Sequence, residues 1–310
     1  MLDPSAISQV LDLLVPPIRD HLQNDHRQRP YILGVSGLQG SGKSTWAKAL
    51  TDVLNNTFKI NTRTVSLDDF YHDHDTLRAI RDANADNPLL RTRGQPGTHD
   101  EALALEFFSS LNDASRGPTL IPAFDKSRFD GEGDRVDESQ WEAIPRAPRL
   151  EVLIFEGWCV GFQPLSDEEL VAKVSTAKDA ATEGPDVEMK TTTLATHQLE
   201  HLKLINDNIR RYCENFMGSS HFDGLLHLTT EDLRNVYSWR LDQEDALRSA
   251  KGTGMAREEV AAFVQGYMPA YELYLDHLSS RPFFPPGSNK AHVRVTLDNT
   301  RRVVGIRRCS

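Results

Sequence analysis

A glycine-rich turn between an apolar run and a helix-forming run carries the most specific chemistry in this sequence. Residues 37–45 read Gly-Leu-Gln-Gly-Ser-Gly-Lys-Ser-Thr and fit the phosphate-binding pattern G-x-x-x-x-G-K-[ST] in full. Glycines allow backbone N–H groups to curl around an anion, and a helix that starts near Lys43 points its positive dipole end at the same place. We predict that a nucleoside triphosphate contacts Gly37, Leu38, Gln39, Gly40, Ser41, Gly42, Lys43, Ser44 and Thr45.

Two side chains of this loop have separate tasks. The Lys43 ammonium would meet the β- and γ-phosphates, and the Ser44 hydroxyl would ligate Mg²⁺. The sequence therefore predicts that the triphosphate binds together with Mg²⁺.

Acidic residues follow two of the predicted strands. Asp68 and Asp69 close a predicted strand over 62–67. Glu156 ends a near-continuous apolar run over 150–155, which is typical of a central parallel strand buried on both faces. Ligands bind beyond the carboxyl ends of strands in a doubly wound parallel sheet, so we expect these acids where the γ-phosphate meets its acceptor.

The hydrophobic periodicity predicts an α/β fold, namely a doubly wound, mostly parallel sheet with helices on both faces and a helical lid. Besides the helix after Lys43, we predict helices over 5–25, 101–111, 198–216, 231–249 and 256–278. Beyond the strands already named and the one entering the phosphate loop, we predict strands over 119–122, 225–228, 292–297 and 302–306. The polar residues 72–98 are predicted to be rich in loops. Residues 171–196 are predicted to be a solvated insertion, either mobile or partly helical, within a single domain spanning 1–310.

The bulk properties narrow the function by exclusion. The 310 residues carry a formal net charge of −10, which argues against a nucleic-acid-binding surface because that needs clustered Lys and Arg. Three widely spaced cysteines are typical of free thiols in a reducing compartment. No stretch approaches the ~20 apolar residues of a membrane span, and no signal or transit pattern opens the chain. We expect a cytoplasmic protein, with the nucleus as the alternative, that binds neither nucleic acid nor membrane.

Competing classes of phosphate-loop protein fit the sequence less well than a kinase. A GTPase should carry Asn-Lys-x-Asp, but the Asn-Lys pair at 289–290 is followed by Ala-His. A motor or AAA-type ATPase usually has two acids closing the buried strand, whereas Glu156 is followed by Gly157. A small-molecule kinase needs a phosphate loop, a metal ligand, an acid beside the acceptor hydroxyl and arginines on the transferring phosphoryl group, and the sequence offers all four.

Several motifs together resemble one family of kinases. The phosphate loop, Ser-x-Asp-x-Phe-Tyr at 66–71, the apolar run into Glu156 and Tyr-Met-Pro-Ala-Tyr at 267–271 are similar to the uridine kinase, pantothenate kinase and phosphoribulokinase superfamily. A narrower resemblance, to plant D-glycerate 3-kinase and its fungal ATP-binding relatives, rests on segments 93–100, 124–127, 131–135, 155–162 and 236–241. It covers about residues 31–275 and is lost at 171–196.

The resemblance implies a role for each acid. Asp68 would be the catalytic acid that orients the acceptor hydroxyl and takes its proton. Asp69 is the rival for that role, or a partner of Mg²⁺ through water. Glu156 would ligate Mg²⁺ beside Ser44, directly or through water. Helix capping is the alternative role for these acids.

The acceptor side is less closely specified. If the acceptor is a hydroxy acid, Arg93 could clamp its carboxylate with two hydrogen bonds. Asp100 equally fits an N-cap of the helix over 101–111, and His99 equally fits a residue that holds the turn. Lys126 and Arg135 either face the pocket or belong to a surface loop. The expected acceptor contacts are Asp69, Tyr71, Arg93, His99, Asp100, Lys126 and Arg135.

The resemblance also assigns Arg240 to a lid helix, where it would stabilise charge on the phosphoryl group and exclude water; a solvated helix charge is the alternative. The expected catalytic residues are thus Lys43, Asp68 and Arg240, with Ser44 and Glu156 as metal ligands. We predict an ATP-dependent kinase that phosphorylates a hydroxyl of a small molecule, with D-glycerate as the best candidate. The alternatives are a kinase of a nucleoside or other metabolite, and a non-catalytic ATP-binding regulator.

Overall fold

One six-stranded sheet organises the residues that the computed structural model describes, which are 2–24, 29–113, 115–180, 189–252 and 254–309. Its strands are β1 (Tyr31–Gly37), β2 (Thr62–Ser66), β7 (Val152–Gly157), β8 (Gly224–Thr229), β9 (Ala291–Leu297) and β10 (Val303–Cys309). They are arranged in the order β10-β9-β8-β1-β7-β2. Two small antiparallel pairs lie outside this sheet, formed by β3 (Thr119–Ile121) with β6 (Glu142–Ile144) and by β4 (Phe124–Asp125) with β5 (Asp134–Arg135).

The register of the strands brings the predicted acids to the phosphate loop. All strands of the sheet are parallel except β10, which pairs antiparallel to β9. Ser36 of β1 pairs with Gly157 of β7, and Ser66 of β2 pairs with Glu156. The carboxyl ends of these three strands therefore share one edge of the sheet.

Helices connect the strands. In chain order they are α1 (Pro4–Asn24), α2 (Lys43–Asn56), α3 (His74–Ala83), α4 (Glu101–Asn112), α5 (Asp167–Asp179), α6 (Leu199–Tyr212), α7 (Arg234–Lys251), α8 (Arg257–Gln265) and α9 (Met268–Ser280). A π-helical segment, Cys213–Met217, continues α6.

The connections place helices on both faces of the sheet. The chain moves from β1 through α2 to β2 in one direction across the sheet, but from β7 through α5 and α6 to β8 in the other. Because such crossovers are right-handed, the two sets of helices lie on opposite faces. Helix α1 packs beside α2, and Phe155 of β7 packs against the rings of Phe108, Phe216 and Phe222. The predicted mostly parallel, doubly wound fold is confirmed.

The local structure adds one helix to the predicted set and divides another. Within the loop-rich residues 72–98, α3 forms with Asp73 as its N-cap, whose carboxylate accepts a hydrogen bond from the Thr76 amide (2.9 Å). The single helix predicted over 256–278 is broken into α8 and α9. Pro269 explains the break, since it has no N–H to continue the hydrogen bonds of α8 and is tolerated in the first turn of a new helix, where it lies in α9.

The stretch predicted to be a solvated insertion is packed at both of its described ends. Its first residues belong to α5, whose buried side chains Leu170 and Val174 lie one turn apart, and Leu194 is buried as well. The helix at this end agrees with the partly helical alternative, and the insertion as a whole stays a prediction. Residues 181–188 lie outside the described residues, and the single-domain organisation stays a prediction.

The structure also bears on the cysteines and on membrane-spanning segments. Cys159, Cys213 and Cys309 are all unpaired. Within the described ranges, no helix is both long and apolar enough to cross a membrane.

Candidate active site

The phosphate loop joins β1 to α2 and has the backbone geometry that anion binding needs. Gly40 and Gly42 have φ values of 77° and 89°, in the left-handed region that glycine adopts without strain. Gly42 caps α2, so Lys43, Ser44 and Thr45 form the first helical turn. The N–H groups of a first turn have no partners within the helix and are available to an anion.

Contacts from distant segments fix the shape of the loop. A Cβ added at Gly40 would lie 2.7 Å from the Cβ of Trp239 on α7, so only glycine fits there. Arg301 joins the same two segments by donating to the carbonyl oxygens of Gly40 and Trp239, at 2.8 Å each. The Gln39 amide donates to the Tyr271 hydroxyl (3.0 Å). The loop is therefore preformed.

Three of the predicted loop residues lie behind the surface that an anion would meet. Gly37 ends β1, and a Cβ added there would lie 2.8 Å from the Cγ of Lys43. Leu38 and Ser41 are buried, and the Ser41 amide donates to the Leu38 carbonyl (3.1 Å). These residues shape the turn.

A cavity of about 250 Å³ opens beside the loop. Lys43, Ser44, Asp68, Lys126 and Glu156 all line it, so residues predicted for phosphate binding, metal binding and proton transfer meet in one place. In the described part of the chain, the Lys43 ammonium forms neither an ion pair nor a hydrogen bond. It is therefore available to a phosphate.

Ser44 and Glu156 form an all-oxygen pair on this cavity. The Ser44 hydroxyl donates to Glu156 Oε1 at 3.0 Å. Hydroxyl and carboxylate oxygens suit Mg²⁺, which keeps several waters and takes few protein ligands. The absence of any cluster of three His, Cys, Asp or Glu ligands among the described residues is compatible with such a site.

Asp68 is held between a cation and a phenol. Lys126 donates to its Oδ2 at 2.5 Å, and the Tyr71 hydroxyl donates to its Oδ1 at 3.1 Å. Burial alone would raise the pKa of Asp68, but the Lys126 ammonium, helped by Lys43, holds that pKa below its ordinary value. Asp68 is therefore an ionised carboxylate that faces the cavity.

Asp69 has a different environment from its neighbour. Its Oδ2 accepts from the Ser66 amide at 3.1 Å, as part of a capping box on the short helical turn Leu67–Phe70. Burial, together with the carboxylates of Asp68 and Glu156, raises the pKa of Asp69 to about 6. The capping role that was an alternative for both acids belongs to Asp69.

Tyr71 and His99 lie side by side next to Asp68. Their rings stack with centroids 4.3 Å apart, and their backbones form a β-bridge. His99 is buried, and burial lowers its pKa to about 3, so its ring is neutral. The loop over 93–100, which is predicted to contact the acceptor and is called the acceptor loop below, is thus held against the segment that carries Asp68.

Asp100 and Arg135 are paired with each other. Asp100 caps α4 by accepting from the Leu103 amide (3.0 Å), and its other oxygen accepts from Arg135 (2.9 Å). Arg135 also donates to the Tyr71 carbonyl (2.9 Å). Asp100 therefore occupies the N-cap position that was the alternative prediction for it. Arg135 supports the backbone of Tyr71.

Arg93 anchors a neighbouring segment. Its Nη1 donates to the carbonyl oxygens of Gly131 (2.6 Å) and Glu132 (2.5 Å), and its guanidinium lies 5.4 Å from the ring centroid of Phe124. These contacts hold the residues between β4 and β5, which also carry Lys126. Arg93 thereby supports the loop that Lys126 occupies.

Arg240 is not among the residues that line the cavity. Its guanidinium pairs with the buried Glu244, donates to Gln243 (3.0 Å) and lies 4.8 Å from the ring centroid of Phe263. It is neither a solvated helix charge nor a contact of the cavity in this conformation. Gln243, one turn further along α7, lines the cavity in its place.

Some residues of the site were not foreseen from the sequence. Ser66 and Trp158 line the cavity, and the Trp158 indole donates to the Gly94 carbonyl (3.0 Å). Each lies two residues from a predicted acid, Asp68 or Glu156, and that spacing was the available signal. Gln243 carried no such signal, because it lies on a helix far along the chain.

Comparison with known proteins places this chain in a family, although no family model matches it. A Schizosaccharomyces pombe protein named "Uncharacterized kinase mug58" is 37% identical over 279 residues, covering 89% of this chain and 93% of that protein. The chloroplastic D-glycerate 3-kinase of Arabidopsis thaliana is 33% identical over 278 residues, covering 89% of this chain and 54% of that protein. This chain therefore spans about half the length of the plant protein.

A solved structure agrees with these sequence matches. D-glycerate 3-kinase from Cryptococcus neoformans superposes with a TM-score of 0.85 at 30% identity, and the match covers 99% of this chain and 100% of that one. The predicted resemblance is confirmed. This chain belongs to the family of kinases that contains D-glycerate 3-kinase and these fungal relatives.

Proposed function

We propose that this kinase transfers the γ-phosphate of ATP to a hydroxyl group of a small hydroxy acid, with D-glycerate as the best candidate. The observation that carries the proposal is the meeting of Lys43, Ser44, Glu156, Asp68 and Lys126 on one cavity. Relatives named D-glycerate 3-kinase in a plant and a fungus support this choice of acceptor.

The donor half of the reaction uses the phosphate loop. Amides of the first turn of α2 and the Lys43 ammonium would bind the β- and γ-phosphates. Ser44 and Glu156 would hold Mg²⁺, which when bound neutralises charge that develops on the phosphates. These groups need no rearrangement, since the loop is preformed and Lys43 has no competing partner in the described chain.

The acceptor half uses Asp68. The acceptor hydroxyl would lie against this carboxylate. The hydroxyl oxygen forms a bond to the γ-phosphorus while the bond between the γ-phosphorus and the β–γ bridging oxygen breaks, and ADP leaves. The hydroxyl proton passes to Asp68. Lys126 is the cation best placed to receive the carboxylate of a hydroxy acid, because it already lies 2.5 Å from Asp68 and would exchange one carboxylate for another.

The proposal is tested by acceptor-dependent ADP formation. Purified protein is mixed with Mg-ATP and, separately, with D-glycerate, L-glycerate, uridine and pantothenate, and the phosphorylated product is identified by ³¹P NMR. We expect D-glycerate to give the highest kcat/KM. Lys43→Ala is the matched control, since it removes the phosphate contact and leaves the acceptor side intact.

The other outcomes select the alternatives. Preferential phosphorylation of uridine or pantothenate would replace the hydroxy acid by another metabolite and refute the acceptor proposed here. ATP binding without ADP formation for any acceptor would indicate a regulator that binds nucleotide and transfers nothing.

A further inference from the structure

The Tyr212 hydroxyl at the end of α6 has three partners in the acceptor loop. It accepts from the amides of Gly97 (2.7 Å) and His99 (3.2 Å), and it lies 3.0 Å from Nδ1 of the His99 ring. Asn208, one turn earlier on α6, donates to the Pro96 carbonyl of the same loop (2.7 Å). Helix α6 therefore holds this loop through two buried side chains.

The number of protons and lone pairs on a hydroxyl determines the tautomer of His99. A phenol has one O–H to donate and two lone pairs that accept. Backbone amides can only donate, so the amides of Gly97 and His99 occupy both lone pairs. The Tyr212 proton is then directed at His99 Nδ1, which must be unprotonated to accept it. In a neutral imidazole the proton therefore lies on Nε2.

The surroundings of His99 keep this arrangement across the working pH range. Burial lowers the pKa of His99 to about 3, with the charged or titratable neighbours Asp68, His72 and Lys126 acting on it and the Tyr71 ring stacked against it. Among the described residues, Nε2 is buried without a hydrogen-bond partner. A buried donor left unpaired destabilises the fold, so an unpaired Nε2–H is expected where a bound ligand supplies the missing hydrogen-bond acceptor.

We propose that Tyr212 is a positioning residue that fixes His99 as a neutral N–H donor beside Asp68. The consequence rests on the proposed function. The neutral His99 ring would donate a hydrogen bond to an oxygen of the bound hydroxy acid, and Asp68 would remain the group that takes the hydroxyl proton. Because Nε2 is enclosed here, the bound hydroxy acid reaches it only after neighbouring side chains have moved.

The tautomer is measured without any assay of activity. Long-range ¹H–¹⁵N correlation spectra of the full chain report which ring nitrogen of each histidine carries the proton, and His99→Gln identifies the signals of His99. Between pH 5 and 8 we expect an unprotonated Nδ1 and a protonated Nε2 that do not titrate. A protonated Nδ1, or a His99 that titrates in this range, would overturn the inference.

A matched pair of variants separates positioning from packing. Tyr212→Phe removes the hydroxyl that directs the tautomer, whereas Tyr274→Phe removes a buried hydroxyl that has no partner among the described residues. We expect Tyr212→Phe to mix the two tautomers and to raise the KM for the acceptor about tenfold, with the KM for ATP unchanged. Tyr274→Phe should change none of these values.

The two readouts distinguish failure of the inference from failure of the proposed function. An unchanged tautomer in Tyr212→Phe would refute the role of Tyr212 whether or not the protein is active. If Tyr212→Phe does not fold, the spectrum of the unmodified chain still decides the tautomer. The expected tautomer in a protein that phosphorylates no hydroxy acid would support the role of Tyr212 and refute the acceptor.

Discussion

The two halves of the candidate site differ in how their charged groups are satisfied. In the donor half, the Lys43 ammonium has no ion partner among the described residues, and the amides of the first turn of α2 have none within the helix. In the acceptor half, Asp68 pairs with Lys126, Arg135 pairs with Asp100, and Arg93 binds backbone carbonyls. The donor half therefore has unpaired donors that can bind an anion, whereas the charged groups of the acceptor half already pair with one another or with backbone carbonyls.

This difference indicates how each ligand would bind. The triphosphate would add to a loop whose shape is already fixed by Gly40, Arg301 and Tyr271. The acceptor would have to displace Lys126 from Asp68 before its hydroxyl could reach the carboxylate. Substitutions on the donor side should therefore lower kcat/KM for ATP. Substitutions on the acceptor side should also shift the pH profile of kcat/KM.

The largest effect is expected for Asp68→Asn, because the variant cannot take the acceptor proton. We expect kcat to fall by about 10²–10⁴-fold, measured by ADP release under saturating substrates, while circular dichroism shows a folded protein. Asp69→Asn is the matched control, and a larger loss in that variant would exchange the roles of the two acids.

Lys43→Ala should have the next largest effect, because it removes the cation that meets the transferring phosphate. We expect a loss of about 10²–10³-fold in kcat/KM for ATP. Since Lys43 has no ion pair in the described chain, the melting temperature should hardly change. A variant that unfolds, or that keeps full activity, would contradict a preformed donor half.

Lys126→Met tests the neutralised acceptor half. Loss of a hydrogen bond to a charged group should raise the KM for the acceptor about 10- to 100-fold, with the KM for ATP unchanged. Lys126 lowers the pKa of Asp68, so the acidic limb of the kcat/KM profile should move to higher pH in the variant. Arg128→Met, on the same loop, is the control. An acidic limb that stays in place would show that Lys126 does not act on the base.

The smallest expected effect is on the free energy of unfolding and concerns Asp69, which lies between the donor and acceptor halves. Its pKa is raised to about 6 in the folded chain from about 3.9 in an unfolded one. The protonated carboxyl therefore stabilises the fold fully below about pH 4, and this contribution is lost as the pH rises through 6. We expect about 1–2 kcal/mol, discounted for partial solvent contact.

Urea titrations of the metal-free protein at several pH values measure this effect. The stability difference between the unmodified chain and Asp69→Asn should shrink or reverse between pH 4 and 7. A difference that stays constant with pH would mean that Asp69 is ionised throughout.

The architecture and the residues proposed for the donor half could be predicted from the amino-acid sequence. The phosphate loop is a contiguous pattern whose chemistry depends on backbone amides and one lysine. Glu156 lies at the end of the apolar run of β7, and Asp68 comes two residues after β2. Parallel strands bring their carboxyl ends to one edge, so these residues had to meet. The break before Pro269 could also have been predicted, since its cause is local.

The partners of the charged groups in the acceptor half could not be predicted, because they depend on contacts between distant segments. Lys126 reaches Asp68 across 58 residues, Arg93 reaches Gly131 across 38, and Tyr212 reaches His99 across 113. Arg240 was predicted to face the phosphates, yet it pairs with Glu244 on its own helix. The side-chain type gives the charge of each group, but only packing determines which opposite charge lies within reach.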